Sequence, residues 1–151
     1  MPGESDHAAP LTPERMLERL NGNVLGQGFS GWLGIIPLRA EVGLIEFATQ
    51  LRPEMTQHHG FAHGGIVGAM ADNACAWAGA LAAQCDVVTS SYSVHFLAPA
   101  KGERLRAVGR AIRAGKRVVT AEAQVYAESD GAEPKLVATA LASVAVLGPA
   151  L

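Results

Sequence analysis

QHHGFAHGGIVGAMADNACAWAGALAAQ, residues 57–84, holds one formally charged side chain, Asp72. It stands among Ile66, Val67, Met70, Ala71, Ala74, Cys75, Ala76, Trp77 and Leu81, so Gly64 to Ala83 reads as a helix apolar on every side and buried in a core. An ionised carboxylate in such a place costs several kcal/mol (about that much) unless it is paired or hydrogen-bonded. Two readings follow: a structural Asp satisfied by a partner, or a functional one. His63, Gly64 and Gly65 stand where the helix begins, at amides with no internal partner and at the positive end of the helix. The glycines leave that backbone uncovered, and amides so placed make an oxyanion hole.

Gly64 and Asp72 are eight positions apart, which is roughly 12 Å along a helix axis. One acyl carbon cannot touch both. Either the two features are unrelated, or the amides of one chain meet the Asp of a second across a symmetric dimer with two equivalent sites. The dimer is the reading adopted.

The pattern Q-x-x-G-x-x-H-G-G followed by an acid, in Gln57, Gly60, His63, Gly64, Gly65 and Asp72, resembles the hotdog-fold acyl-CoA thioesterases of the phenylacetyl-CoA and hydroxybenzoyl-CoA group. The resemblance extends from about Trp32 to Leu147. It implies an α+β hotdog fold, an antiparallel sheet wrapped around one long helix, with subunits pairing into dimers or dimers of dimers. It implies an acyl-CoA substrate and no cofactor. By position, Asp72 corresponds to the catalytic acid, Gly64 and Gly65 to the carbonyl-polarising amides, and Gln57 to the Asn or Gln that positions thioester or water. His63 falls on the family's His, shaping the turn rather than taking the proton. Lys116 and Arg117 lie near a turn whose basic groups meet CoA phosphates in that family. Ala76 stands where several members carry Ser or Thr, and the acid is Asp where one branch has Glu.

The chain has 151 residues, 49% hydrophobic and 17% charged with a net charge of −2, consistent with one globular domain. That charge argues for neither nucleic acid nor an anionic membrane as partner. Cys75 and Cys85 form no disulfide or zinc pattern. The N-terminus lacks a signal-peptide pattern, so the expected location is the cytoplasm. The expected boundaries are a tail and short helix over 1–23 and a single hotdog domain over 24–151.

In chain order, Thr12 caps a helix with Pro13 at its first position and Asn21-Gly22 at its end. Gly26-Gln27-Gly28-Phe29-Ser30-Gly31 matches G-x-G-x-x-G, but it follows a helix and precedes a strand, so it reads as a glycine-rich loop rather than a dinucleotide site. Strands are expected at 32–40, 44–52, 87–97, 104–114, 117–128 and 136–147. The strands after the helix, joined by short turns, are read as antiparallel neighbours. In the third of the six, Tyr92, Val94 and Phe96 share one face and Ser91, Ser93 and His95 the other.

His58, His59 and His63 lack a Cys or Glu to complete a metal site, so none is assigned. Arg104, Arg106 and Arg110 against Glu122, Gln124 and Glu128 read as a solvated sheet face. His95 is either a substrate contact or an ordinary strand residue, and Phe61, Met70 and Trp77 either line an acyl pocket or fill the core. No nucleophile elbow surrounds the serines of 90–93. A thiolate leaves readily, since thiols have pKa values near about 8.5, so a carboxylate and an amide-lined hole suffice for a thioester. The expected function is acyl-CoA hydrolysis with Asp72 as base or nucleophile; the alternative is an acyl-CoA-binding hotdog domain without turnover.

Overall fold

The computed structural model describes residues 11–149. Helices α1 (Pro13–Gly26) and α2 (Gly28–Leu33) precede strands β1 (Ile36–Glu41) and β2 (Leu44–Gln50). The long helix α3 (Gly64–Ala83) follows, then β3 (Asp86–Phe96), β4 (Arg104–Ala114), β5 (Val118–Glu128) and β6 (Lys135–Gly148). All six strands form one antiparallel sheet in the order β1-β2-β4-β5-β6-β3, wrapped around α3. This is the hotdog fold.

Alternation builds the inner layer. Leu105 and Ala107 on β4, Val119, Ala121, Ala123 and Val125 on β5, and Val144 on β6 are all buried against the helix. Most of the residues that meet them from α3 are small: Ala71, Ala74 and Ala78 are fully buried. Gly109 lies under the Ala74 carbonyl, where a Cβ would collide with backbone, and a Cβ on Gly79 would come within 3.1 Å of Val144 Cγ1. Phe47 and Trp77 fill the space beside this close approach, with ring centroids 4.9 Å apart. Helix α3 is long and apolar enough to cross a membrane by length and composition, but most of it is buried within this fold.

Four sequence expectations change. Helix α1 does have its Thr12 cap, whose Oγ1 accepts from Arg15 N–H at 3.4 Å, but it runs through Asn21-Gly22 to Gly26. Gly22 keeps φ outside the left-handed region, so it is an interior residue and not a stop. The glycine-rich segment is not a loop: it forms the six-residue α2, ended by Gly34 at φ 69° and held by Arg52 Nη2 on the Trp32 carbonyl at 2.7 Å. Third, β3 pairs with β6 across the sheet and not with β4, its neighbour in sequence. Finally, α3 is not covered all round. Ala69, Asp72, Asn73 and Ala76, at i, i+3, i+4 and i+7, form a half-buried stripe that meets the sheet at its edge strand, where Thr89 of β3 bonds Asp72.

The Arg and Glu side chains of the sheet's outer face are paired: Arg106 bonds Glu128 at 2.6 Å and Glu46 at 3.2 Å, and Arg104 bonds Glu128 at 3.0 Å. Burial pushes the Glu128 carboxyl up, but hydrogen bonds from Arg106 and Arg104 outweigh it and hold it below its ordinary value.

Replacing Gly109 by Ala forces the Ala74 carbonyl off β4. The expected loss of unfolding free energy is about 3 kcal/mol, read from the denaturant midpoint.

Candidate active site

The chain enters α3 through a tight turn. Gly60 N–H donates to the Gln57 carbonyl at 2.9 Å, and Gly60 holds φ 81°, a conformation that favours glycine. Gln57 folds back on this turn, its Oε1 accepting from His59 N–H at 2.6 Å, which leaves its NH2 free of that bond. His63 then caps the helix: its backbone is extended (φ −60°, ψ 139°) and its Nδ1 accepts from Gly65 N–H at 2.9 Å. The ring therefore carries its proton on Nε2 in this arrangement. Gly65's amide is occupied by the cap, whereas Gly64's makes no hydrogen bond to another backbone or side chain among the described residues. Gly64 faces Phe96, and a Cβ there would sit 3.6 Å from the ring, an ordinary contact. Gln57, Phe61, Gly64, Phe96 and Pro99 line a cleft of about 400 Å³.

Asp72 sits two turns further along α3, on its half-buried stripe. Its Oδ1 accepts from Thr89 Oγ1 at 2.7 Å. A second, more enclosed cleft of about 410 Å³ opens here, lined by Asp72, Ala76, Trp77 and Ala80 of α3, by residues 86–89 at the start of β3, and by Leu20 and Gln27. Asn73 Nδ2 reaches Ser30 Oγ at 3.5 Å and so ties α2 to the same helix face. Burial, then the negative charges of Asp72 and Glu122, push the Cys75 thiol up to about 12. It is no thiolate at neutral pH, and the sulfur has no part as nucleophile.

The two clefts share no lining residue. One chain thus presents a carboxylate in one and an uncommitted helix-terminal amide in the other.

The thioesterase superfamily profile matches residues 59–133. A thioesterase family protein from Silicibacter pomeroyi is 30% identical, with 87% of this chain and 98% of that one covered and a TM-score of 0.82. The chain belongs to the thioesterase superfamily. A phenylacetic acid degradation-related protein from Ralstonia eutropha JMP134 is 27% identical over 87% of this chain and 98% of its own, TM-score 0.73. The E. coli PaaI protein from the phenylacetic acid degradation operon, 20% identical over 91% of this chain and 96% of its own at TM-score 0.81, shares the fold. No curated protein sequence matches significantly.

In this thioesterase several expected contacts stand elsewhere. His95 pairs with Thr139 on β6, while its neighbours Val94 and Phe96 pair with the buried Ala140 and Ala138. The alternation of β3 therefore turns His95 to the outer face, away from both clefts. Lys116 and Arg117 are exposed on the β4–β5 turn and line neither cleft. The Arg117 carbonyl accepts from Val146 N–H at 2.9 Å, and Val146 pairs with Val87, so they sit beside the start of β3. His58 and His59 stack with centroids 4.0 Å apart, and no metal-sized group of three His, Cys, Asp or Glu occurs among the described residues. Trp77 and Phe61 do line clefts, one each, while Met70 is wholly core.

Thr89, Leu20 and Gln27 escaped the sequence reading. A register shift between Thr89 and Ser91 breaks the parity of β3, so alternation counted from Tyr92 misplaces Thr89. The α1 and α2 residues come to Asp72 only through tertiary packing.

Replacing His63 by Ala removes the cap on Gly65 and is expected to lower stability by about 1 kcal/mol, with Asn restoring most of it. Thermal unfolding of the wild type and the two variants checks this.

Proposed function

We propose that this protein is an acyl-CoA thioesterase acting as a homodimer, with Asp72 of one subunit and Gly64 of the other serving one thioester. The observation that carries the reading is the placement of the carboxylate and the free amide in separate clefts of one chain, both flanked by β3. Strand β3 is a sheet edge, and it exposes Val88, Tyr92 and Phe96, with Leu97 just beyond it. An apolar edge with an unpaired backbone ladder is suited to a second copy of itself. Two-fold pairing there gives two sites, each with one Asp72 and the partner's Gly64.

At each site the acyl carbonyl oxygen accepts from the Gly64 amide, which lies at the positive end of α3 and stabilises the charge that develops on that oxygen. Gln57, which lines the same cleft, orients the thioester or the water. Gly65 acts through the cap, keeping the first turn rigid. Asp72 takes a proton from water, whose oxygen bonds to the acyl carbon; the C–S bond then breaks, releasing the acid and the CoA thiolate. The Thr89 hydroxyl aims the carboxylate by donating to one of its oxygens and leaves the other for water. The variant route has Asp72 attack the acyl carbon to form an anhydride. Label from solvent oxygen found in Asp72 after one turnover identifies it. Leu20 and Met16 of α1 belong to the common core, so the unit that acts includes α1 together with residues 24–151. A binding domain without turnover is the alternative, and hydrolysis decides it.

Asp72→Asn is expected to lower kcat by about 10²–10⁴-fold with the fold retained. Gly64→Pro replaces the amide hydrogen by a ring carbon and keeps the backbone: Gly64 is the first helical residue and the extended His63 before it is already the conformation a proline requires. It should cost about 10²-fold or more. Co-expressed, the two variants form mixed dimers with one intact site, so activity returns. Dimers that stay silent when mixed, despite forming, would place both groups in the same subunit's site and overturn the pairing.

A further inference from the structure

The cleft at Asp72 has a direction. Ala76 and Ala80 follow Asp72 at one-turn intervals on α3, so its helix wall extends about 12 Å from the carboxylate. The opposite wall is β3, from Thr89 beside Asp72 back to Asp86. Leu20 and Trp77, both almost fully buried, form the apolar floor, and the alanines leave the space open. The cleft is thus a trough that starts polar at the reacting carboxylate, continues between the apolar side chains of Ala76, Ala80, Leu20 and Trp77, and carries a second carboxylate, Asp86, with the amide of Gln27 also on its lining. Both are exposed to solvent. The cleft at Gly64 is the more open of the two.

We infer that the trough holds the acyl chain and that Asp86 acts as a ruler, limiting this thioesterase to acyl chains that end before it. The inference rests on the reading of Asp72 as the reacting carboxylate. An apolar chain lying along Ala76, Ala80, Leu20 and Trp77 gains burial with each added carbon. A chain long enough to cover Asp86 strips water from a carboxylate that the structure gives no cation in exchange, and the gain turns into a loss. Among the described residues Asp86 forms no ion pair. The substrate class is therefore short and medium-chain acyl thioesters, with a distal hydroxyl tolerated where a methyl is not.

The test uses the full chain and straight-chain acyl-CoAs from two to sixteen carbons (about that span, in steps of two), comparing kcat/KM across lengths. Asp86→Leu extends the apolar wall at an exposed position where folding is not at risk. It should move the optimum to longer chains, raising the long-to-short ratio of kcat/KM about tenfold. Ala80→Leu fills the trough and should move the optimum the other way. Because Ala80 is buried, Ala76→Leu on the half-open stripe serves as the second blocking variant. Unchanged length profiles in variants that still turn over overturn the inference while leaving Asp72 its role. A uniform rise in KM at every chain length also overturns it, by putting the CoA arm in the trough, on the way to Lys116 and Arg117. A wild type that cleaves no thioester fails the underlying reading instead.

Discussion

Everything in this fold depends on how closely the α3 backbone approaches the sheet. The Ala74 carbonyl rests on Gly109 and Gly79 rests on Val144, contacts that leave no room for a side chain in between. Dispersion and burial are gained at short range along this seam. The same closeness decides what is left uncovered. A sheet drawn tight around one side of a helix meets the other with its edge strand, and the stripe of Ala69, Asp72, Asn73 and Ala76 remains half open beside β3. The carboxylate is therefore compatible with the fold. It meets the Thr89 hydroxyl and solvent rather than a dry interior, so the cost of charge burial that its sequence context implies is not incurred.

Much of this architecture was legible in residues whose structure is decided locally. Strand β4 begins and ends where its alternation does, at Arg104 and Ala114, and α3 fills the proline-free apolar interval from Gly64 to Ala83. Such segments carry their own period. What the sequence did not disclose was set by partners distant along the chain. The pairing of β3 with β6 leaves no trace in either strand alone. Helix α2 forms in a glycine-rich segment because Arg52 bonds the Trp32 carbonyl and Thr49 that of Leu33. Such tertiary bonds override low helix propensity.

The candidate site divides in the same way. His63, Gly64, Gly65 and Asp72 were singled out by their spacing, because a helix fixes what eight residues mean in ångströms. Their division of labour was not, because it depends on one hydrogen bond: with Nδ1 of His63 taking the Gly65 hydrogen, two equivalent glycines become a capped amide and an open one. Thr89 was hidden by the register shift in β3, and His95 was offered by its chemistry although the alternation of its strand turns it outward. In each case residue type suggested a role, and the direction of the side chain decided it.

The chemistry that the two clefts can support is limited by what lines them. Cys75, the buried thiol beside the carboxylate, is held protonated by burial and by the charge of Asp72 itself. The outer-face arginines Arg104 and Arg106 are engaged by Glu128, Glu46 and Asp130. What remains at the clefts is two carboxylates, Asp72 and Asp86, a hydroxyl that bonds the first, a helix-terminal amide and the primary amides of Gln27 and Gln57. No strong general acid is among them. An amine or alkoxide expelled at neutral pH needs a proton from such an acid, because the conjugate bases are too strong to leave alone; a thiolate, with a thiol pKa near about 8.5, does not. The lining of the clefts is thus matched to a thiolate leaving group, which is what the proposed hydrolysis requires.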